Sequence, residues 1–281
     1  MQTTTLTDLQ EKIPMYIAKP LADTISELRA IESKNHEMLA SIRHSRKIQG
    51  HIMCGEHNLY QRFPESFLID KPKDIVSGDF FWLKEIDNRV IIVVGDCTGH
   101  GIPAAFLSVL GISFLNQIVI EEKITTPSVI LKKLSKLIKT VFHNSDNCHD
   151  GIDMAVCSID YNSGFIAFEG ALRPAYLIRD QQLNIVKGSR HSITGNHTDE
   201  YKNRLVRFKK GDMLYLFSDG YADQFGGPKN KKFLIKKFQK ILLELSVHSA
   251  GRQMLELERL HAEWKTDMEQ TDDIIIAGIK L

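Results

Sequence analysis

The sequence contains no Cys-x-x-Cys pair: its four cysteines, Cys54, Cys97, Cys148 and Cys157, are scattered. That excludes a zinc knuckle, a dithiol redox motif and a disulfide framework, and makes a reducing cytoplasm the expected location. An excess of either charge is also missing. Lysine plus arginine number 36 against 35 aspartate plus glutamate, a formal net charge of +1, which gives no electrostatic case for binding nucleic acid or an anionic membrane surface. The N-terminal stretch, with Asp8, Glu11 and several threonines, lacks the basic and apolar blocks of a signal peptide. Nor is there a clean membrane-spanning run. Ile102 to Ile120 is the most apolar long stretch, but Pro103, Ser108, Ser113, Asn116 and Gln117 interrupt it. In a bilayer these would be costly, so a buried helix without membrane insertion is expected. Internal repeats and low-complexity tracts are absent as well. What remains is 281 residues, 43% of them hydrophobic, enough to fill a globular core.

Between Pro20 and Cys54 apolar residues recur at helical spacing. With Leu21 at heptad position a, Leu28, Asn35, Ile42 and Gln49 follow at a, and Thr24, Ile31, Met38, Ser45 and Ile52 fall at d. This pattern fits a coiled-coil seam that would make a homodimer; an amphipathic helix packed on its own domain is the alternative. After Gly55 the texture changes to strands, expected over Phe63–Asp70, Asp79–Ile86 and Arg89–Val94, the last continuously apolar like a strand buried on both faces. Helices are expected over Pro103–Glu121 and Pro127–His143. A second strand-rich block covers Met154–Ile159, Phe165–Glu169, Ala175–Arg179, Leu183–Val186 and Met213–Phe217, with hairpin turns at Asn162-Ser163-Gly164 and Asp180-Gln181. Helices over Lys231–Leu245 and Ala250–Met268 precede a last buried strand, Ile274–Ile279, after which no further domain is expected. This order predicts an α+β fold: a central two-sheet β-sandwich flanked by α-helices in α-β-β-α layers, with an N-terminal helical extension. The expected division is a helical segment, 1–54, for dimerisation or regulation, and a single domain, 55–281.

Acidic residues stand at the ends of apolar strands in four places: Ser77-Gly78-Asp79, Gly95-Asp96, Ser218-Asp219-Gly220 and Thr271-Asp272-Asp273. One such Asp-Gly is most often a turn or cap. A series of them changes the reading, because carboxylates converging on one cleft repel one another and call for cations. Rigidly held oxygen ligands suit Mg²⁺ or Mn²⁺.

The stretches Lys71-Pro-Lys-Asp-Ile-Val-Ser-Gly-Asp-Phe-Phe-Trp82, Gly95-Asp-Cys-Thr-Gly-His-Gly-Ile-Pro-Ala-Ala105, Ser218-Asp-Gly220 and Thr271-Asp-Asp273 resemble the protein phosphatase 2C-like metal-dependent phosphatases, specifically their SpoIIE-like bacterial branch. The resemblance runs in order from about Ile48 to Leu281. It implies two Mn²⁺ or Mg²⁺ ions, with Asp96 bridging both, the carbonyl of Cys97 serving one, and Asp79 acting directly or through water. Asp219 and Asp272 resemble ligands of the second metal, and the Asp272-Asp273 doublet leaves that assignment open by one residue. Asp153 is a candidate ligand for an additional ion. The implied reaction is in-line attack on a phosphoserine or phosphothreonine by a hydroxide that the two metals generate. Cysteine-dependent hydrolysis is excluded separately, since Tyr60, Pro103, Met154 and Ser163 occupy the sixth positions after the cysteines, where Cys-x5-Arg needs arginine.

Two departures bear on the chemistry. Thr98 stands two places after Asp96, where eukaryotic relatives carry a histidine that is a candidate general acid; His100 reads as a turn residue. In Gly170-Ala-Leu-Arg-Pro174, where many relatives have Ala-Gly-His, Arg173 reads as a solvated hairpin residue, with phosphate contact as the alternative. Asp223 reads as a local cap, and Gly226–Phe233, with three lysines, as either a plain solvated loop or an attractor of phosphoproteins. The expected substrate is a phosphorylated protein, by resemblance an anti-sigma-factor antagonist. A catalytically inactive signalling module with the same fold is the rival expectation, and a two-metal hydrolase of small phosphoesters a third, without a P-loop to support nucleotides.

Overall fold

A computed structural model describes residues 15–53, 55–141, 151–193 and 201–281, with side chains from 23 onward. Cys54, Cys148 and the expected helix end at His143 lie outside the described residues. The chain divides into two units, Met1–Lys47 and Ile48–Leu281.

The first unit contributes most of a helix, α1, Met15–Ile52. Its Leu28, Ile31 and Met38 are 59%, 55% and 57% exposed, so the expected seam is open to solvent there, while Ile42 is half-buried. Gln49 departs from the seam. It lies in the second unit, 4% exposed, because its amide is fully used inside that unit.

In the second unit, the run Arg89-Val-Ile-Ile-Val-Val-Gly-Asp-Cys97 forms β3, paired antiparallel with β2, Phe80–Ile86. With β4, Ile152–Asp160, β5, Phe165–Ala171, and β8, Arg204–Arg207, these make one five-stranded sheet in the order β2-β3-β4-β5-β8. The other sheet runs β1-β12-β9-β6-β7, where β1 is Ser66–Lys71, β6 Ala175–Arg179, β7 Gln182–Val186, β9 Met213–Phe217 and β12 Ile274–Lys280. Both expected hairpins form, β4 with β5 and β6 with β7.

Strand alternation sorts the core into three layers. Val90, Ile92 and Val94 point inward and meet Leu214, Leu216, Ile275 and Ala277 of the facing sheet. Ile91 and Val93 point outward onto two helices, α3, Ile102–Leu115, and α4, Pro127–Val141. On the far side, Tyr215, Phe217 and Ile276 pack under α6, Ile235–Leu245, and α7, Ala250–Lys265; the four-residue α5, Gly220–Asp223, lies between β9 and α6. The fold is therefore α+β, with the expected α-β-β-α layers.

The stretch Ile102–Glu121 has the length and apolarity of a membrane span, yet Leu107, Ile112, Leu115, Ile118 and Val119 are buried in the outer core. Its last six residues, Asn116–Glu121, wind as a π-helix, and Asn116 Oδ1 at its start accepts Trp82 Nε1–H at 3.0 Å.

Two expectations need correction, and one element was not expected. Gly55–Arg62, ahead of the first expected strand, is a helix, α2, held by Leu59 in the inter-sheet core. Lys231–Lys232 is β11, paired with β10, Phe225–Gly226, so the helix expected from Lys231 starts at Ile235. Ala171 to Ala175 is no hairpin: it crosses from one sheet to the other.

Candidate metal centre

The register of β3 against β4 sets Asp96 directly across from Asp153. Gly95 before it accepts the Phe80 ring, which would lie 2.3 Å from any added Cβ, so only glycine lets β2 and β3 approach closely enough there. Asp79 enters just before β2. Its turn is tight, since a Cβ on Gly78 would stand 2.7 Å from Ala104 Cβ and 3.4 Å from the Cys97 carbonyl oxygen. The Cys97 carbonyl therefore faces the Gly78–Asp79 turn, while its thiol is buried in the outer core.

From the opposite sheet, β9 and β12 deliver the other acids. Ser218 N–H donates to Ile275 O at 3.0 Å and Ile275 N–H donates to Ser218 Oγ at 2.9 Å, which ties the strand ends bearing Asp219 and Asp272. Asp219 opens α5 without capping it through its side chain, so its carboxylate is not spent on the helix end.

The doublet divides by its hydrogen bonds. Asp273, 2% exposed, accepts Lys73 N–H and Gly78 N–H, each at 2.7 Å. It is a clamp on the Lys71–Asp79 loop. Asp272 accepts the N–H of Asp273 at 2.9 Å and is otherwise among the acids: burial, then the Asp219 and Asp273 charges, push its pKa up.

Electrostatic stress is greatest at Asp79 and Asp96. Asp79 is 3% exposed and its Oδ2 has no hydrogen-bond partner among the described residues; burial, reinforced by Asp96, raises its pKa well above the carboxylate range. Burial also raises Asp96, Arg173 pulls it back, and Asp219, Asp153 and Asp272 push it up again, leaving it at about 7. Asp153 is raised by burial, with Arg173 opposing. Such crowding is what a multivalent cation relieves. Buried oxygens on Asp79 and Asp96 that accept no hydrogen bond among the described residues are hard donors that fit Mg²⁺ or Mn²⁺.

Arg173 overturns its expected place on a solvated turn. Its side chain is 15% exposed, with Nη2 at 2.7 Å from Asp96 Oδ2, 3.1 Å from Asp153 Oδ2 and 2.7 Å from Asp219 Oδ2. Only the Asp219 contact has hydrogen-bond alignment; the Asp96 contact is close but misdirected, and Asp96 Oδ2 stays without a hydrogen bond. No three His, Cys, Asp or Glu side chains of the described residues form a ready-made metal cage. His100 sits in its turn as expected, with Nδ1 2.7 Å from Asp74 Oδ2. Asp223 is no cap through its side chain: it pairs with Lys232 Nζ at 2.7 Å, which engages one of the lysines expected to attract a phosphoprotein.

Gln49 was misplaced by the heptad reading and reaches the segment that leads into Asp79. Its Nε2 donates to Ser77 O at 2.7 Å and Ser108 Oγ at 3.2 Å, and its Oε1 accepts Ser77 N–H at 3.1 Å. A side chain near the end of α1 thus holds the residue two before Asp79. The signal was present in the sequence as a glutamine at an apolar heptad position.

Two antiparallel sheets between helix layers, with acids gathered from both sheets at one edge, define the class: a PP2C-type phosphatase fold. The model of the family described as Stage II sporulation protein E (SpoIIE) matches residues 86–281, and the chain belongs to that family. Among solved structures, the SiaA-PP2C domain of Pseudomonas aeruginosa is similar at 25% identity and a TM-score of 0.82, covering 88% of this chain and 98% of that one. The RsbU and RsbW domains of a Mycobacterium tuberculosis protein match at 20% identity and a TM-score of 0.62, covering 78% of this chain and 60% of that one. The PP2C phosphatase domain of SpoIIE from Bacillus subtilis, with a fragment of its regulatory domain, matches at 17% and 0.63, covering 77% and 63%.

Proposed function

We propose that this chain is a metal-dependent serine/threonine phosphoprotein phosphatase of bacterial signalling, working in the cytoplasm. The observation that carries the reading is the pair of buried carboxylate oxygens on Asp79 and Asp96 that accept no hydrogen bond among the described residues, inside a cluster where every neighbouring acid raises the cost of ionisation. Asp96, Asp79 and the Cys97 carbonyl would hold one ion and Asp96, Asp219 and Asp272 the other, with Asp153 a candidate ligand for an additional ion. Bound there, Mn²⁺ or Mg²⁺ would supply an activated water and charge neutralisation for the phosphoryl oxygens. The chain's own part is positioning: Asp273 clamps the loop before Asp79, the Ser218 staple fixes Asp219 against Asp272, and Gln49 fixes Ser77. The substrate class is a small phosphorylated protein, an anti-sigma-factor antagonist being the leading choice.

Incubation of the full chain with a phosphoserine peptide and Mn²⁺ tests this directly. Phosphate release that stops with EDTA and returns with excess Mn²⁺ is the expected result; release that persists after complete metal removal refutes the mechanism. A second reading, a non-catalytic module, draws on the Arg173 guanidinium, which supplies positive charge within the cluster. Failure of every phosphopeptide and metal combination would favour it.

For α1 we propose a parallel homodimer with the exposed Leu28, Ile31 and Met38 in the seam and Asn35 at position a setting register and strand number. Each apolar side chain covered contributes up to roughly 1.5–3 kcal/mol. Coupling to the metal centre runs through Gln49. Light scattering on the full chain should give a dimer at tens of micromolar, and a chain starting at Lys47 a monomer with altered metal affinity or kcat. A monomeric full chain removes the dimer, and a truncated monomer with unchanged kinetics removes the coupling.

A further inference from the structure

We propose that Arg173 is a displaceable internal counter-ion: its guanidinium holds the Asp96, Asp153 and Asp219 carboxylates together, and a divalent cation has to expel it in order to bind. The inference rests on the reading of these acids as metal ligands. It goes further in making metal loading and the release of one named side chain a single event.

Geometry supplies the first argument. One guanidinium nitrogen lies within 2.7–3.1 Å of three carboxylate oxygens drawn from β3, β4 and the β9–α5 turn. A divalent ion bound to the same oxygens would meet that nitrogen at contact distance, and like-charge repulsion at such a range in a half-buried site is severe. The two cannot share the position.

The second argument is that this arginine is poorly satisfied where it rests. Among the described residues, Nη2 is its one donor with a hydrogen bond, to Asp219, and Nε is buried without one. Arg179 in the same unit shows what a permanent arginine looks like. There Nε and Nη2 grip the two oxygens of Asp212 at 2.9 and 2.6 Å, and Nη2 adds the Arg207 carbonyl at 2.7 Å. Bidentate pairing of that kind is the strong form of the interaction. Arg173 is instead held by charge, by the same acids whose repulsion it reduces.

Release has to come from side-chain rotation, because the backbone is fixed. Arg173 N–H donates to Ala171 O at 2.8 Å, Leu172 N–H to Ser189 O at 3.1 Å, and Pro174 follows. The Arg173 carbonyl is so close to Gly170 that a Cβ there would stand 2.0 Å from its oxygen. A rigid crossover with one long swinging side chain is a suitable mount for a counter-ion that steps aside.

The experiment compares the wild-type full chain with Arg173→Gln and Arg173→Lys at pH 8, by calorimetric Mn²⁺ titration and by melting in EDTA. Where the arginine-out form is about a tenth of the wild-type population, removing the competitor tightens apparent Mn²⁺ affinity about tenfold. Arg173→Gln is therefore expected to melt lower than wild type in EDTA and yet bind Mn²⁺ about tenfold tighter, with Arg173→Lys between them. These opposite signs are the signature of a competitor. Mn²⁺ affinity in Arg173→Gln equal to or weaker than wild type overturns the proposal, and weaker affinity together with lower melting makes Arg173 a structural residue. Should Arg173→Gln fail to fold, Arg173→Lys decides by the same criterion. Absence of Mn²⁺ uptake by the wild type itself removes the metal reading and this proposal with it.

Discussion

Asp96→Asn lowers kcat with Mn²⁺ by on the order of a thousandfold, the loss of several kcal/mol of metal-derived transition-state stabilisation, while the metal-free protein stays folded. Asparagine keeps the shape of the side chain but offers one carbonyl oxygen and no charge. A residue assigned to both ions is thereby halved as a donor. The stability half follows from the sign of the pKa shift. Asp96 is raised to about 7, by burial first and then by the neighbouring acids, so its folded form binds the proton more tightly than the unfolded chain does. Its contribution is present below about pH 4 and lost as pH rises through about 7. At pH 8 in EDTA the ionised carboxylate is thus a burden, and Asp96→Asn should melt no lower than wild type. Kinetics, Mn²⁺ titration and melting on one preparation check all three. Near-native kcat and metal affinity in Asp96→Asn would eliminate the bridging role. Cys97→Ala provides the contrast: its thiol is buried in the outer core and only the carbonyl is assigned, so kcat is retained and stability falls by roughly 1 kcal/mol.

What the linear sequence carries, and what it does not, divides along a physical line. Val90 to Val94 declares itself as a central strand because an apolar run without alternation has to be covered on both faces, and the structure gives Ile91 and Val93 to one core and Val90, Ile92 and Val94 to another. The acids were legible for a similar reason, since each sits where a buried strand meets the surface. Arg173 was not. Its neighbours in sequence, Leu172 and Pro174, describe a turn, and only the crossover between sheets brings it to Asp96 and Asp219, 77 and 46 positions away by the numbers of the residues themselves. Gln49 failed in another way: a helical period reports which face a residue occupies, but not whether the partner is a second helix or the Ser77 loop. Asp153 stood between the two, with its strand legible and its register opposite Asp96 visible only once β3 and β4 pair.

Asp273→Ala should unfold at lower temperature, whereas Asp272→Ala should keep its stability and lose metal. Sequence alone presents two adjacent equivalent acids; the structure separates them by what their oxygens already accept. Removing Asp273 strands the N–H groups of Lys73 and Gly78, to which its two oxygens are bonded at 2.7 Å each. Hydrogen bonds to a charged acceptor contribute about 1.5–3 kcal/mol apiece, and a buried donor left without one adds its desolvation cost. A loss of roughly 3 kcal/mol is expected, equivalent to about 6–12 °C in Tm for a domain of this size. Because Gly78 carries Asp79, metal affinity falls too, as a consequence of a loosened loop. Asp272 presents the reverse case. Its carboxylate is raised in pKa by burial and then by Asp219 and Asp273, so in alanine the relief of repulsion offsets the loss of the bond from Asp273 N–H, and melting in EDTA at pH 8 should change little. Mn²⁺ affinity and kcat should drop sharply all the same, because a carboxylate proposed as a ligand of the second ion is gone. Melting curves in EDTA and Mn²⁺ titrations on both variants separate the roles. If Asp273→Ala is as stable as wild type while Asp272→Ala loses several degrees, the clamp and the ligand have been assigned the wrong way round.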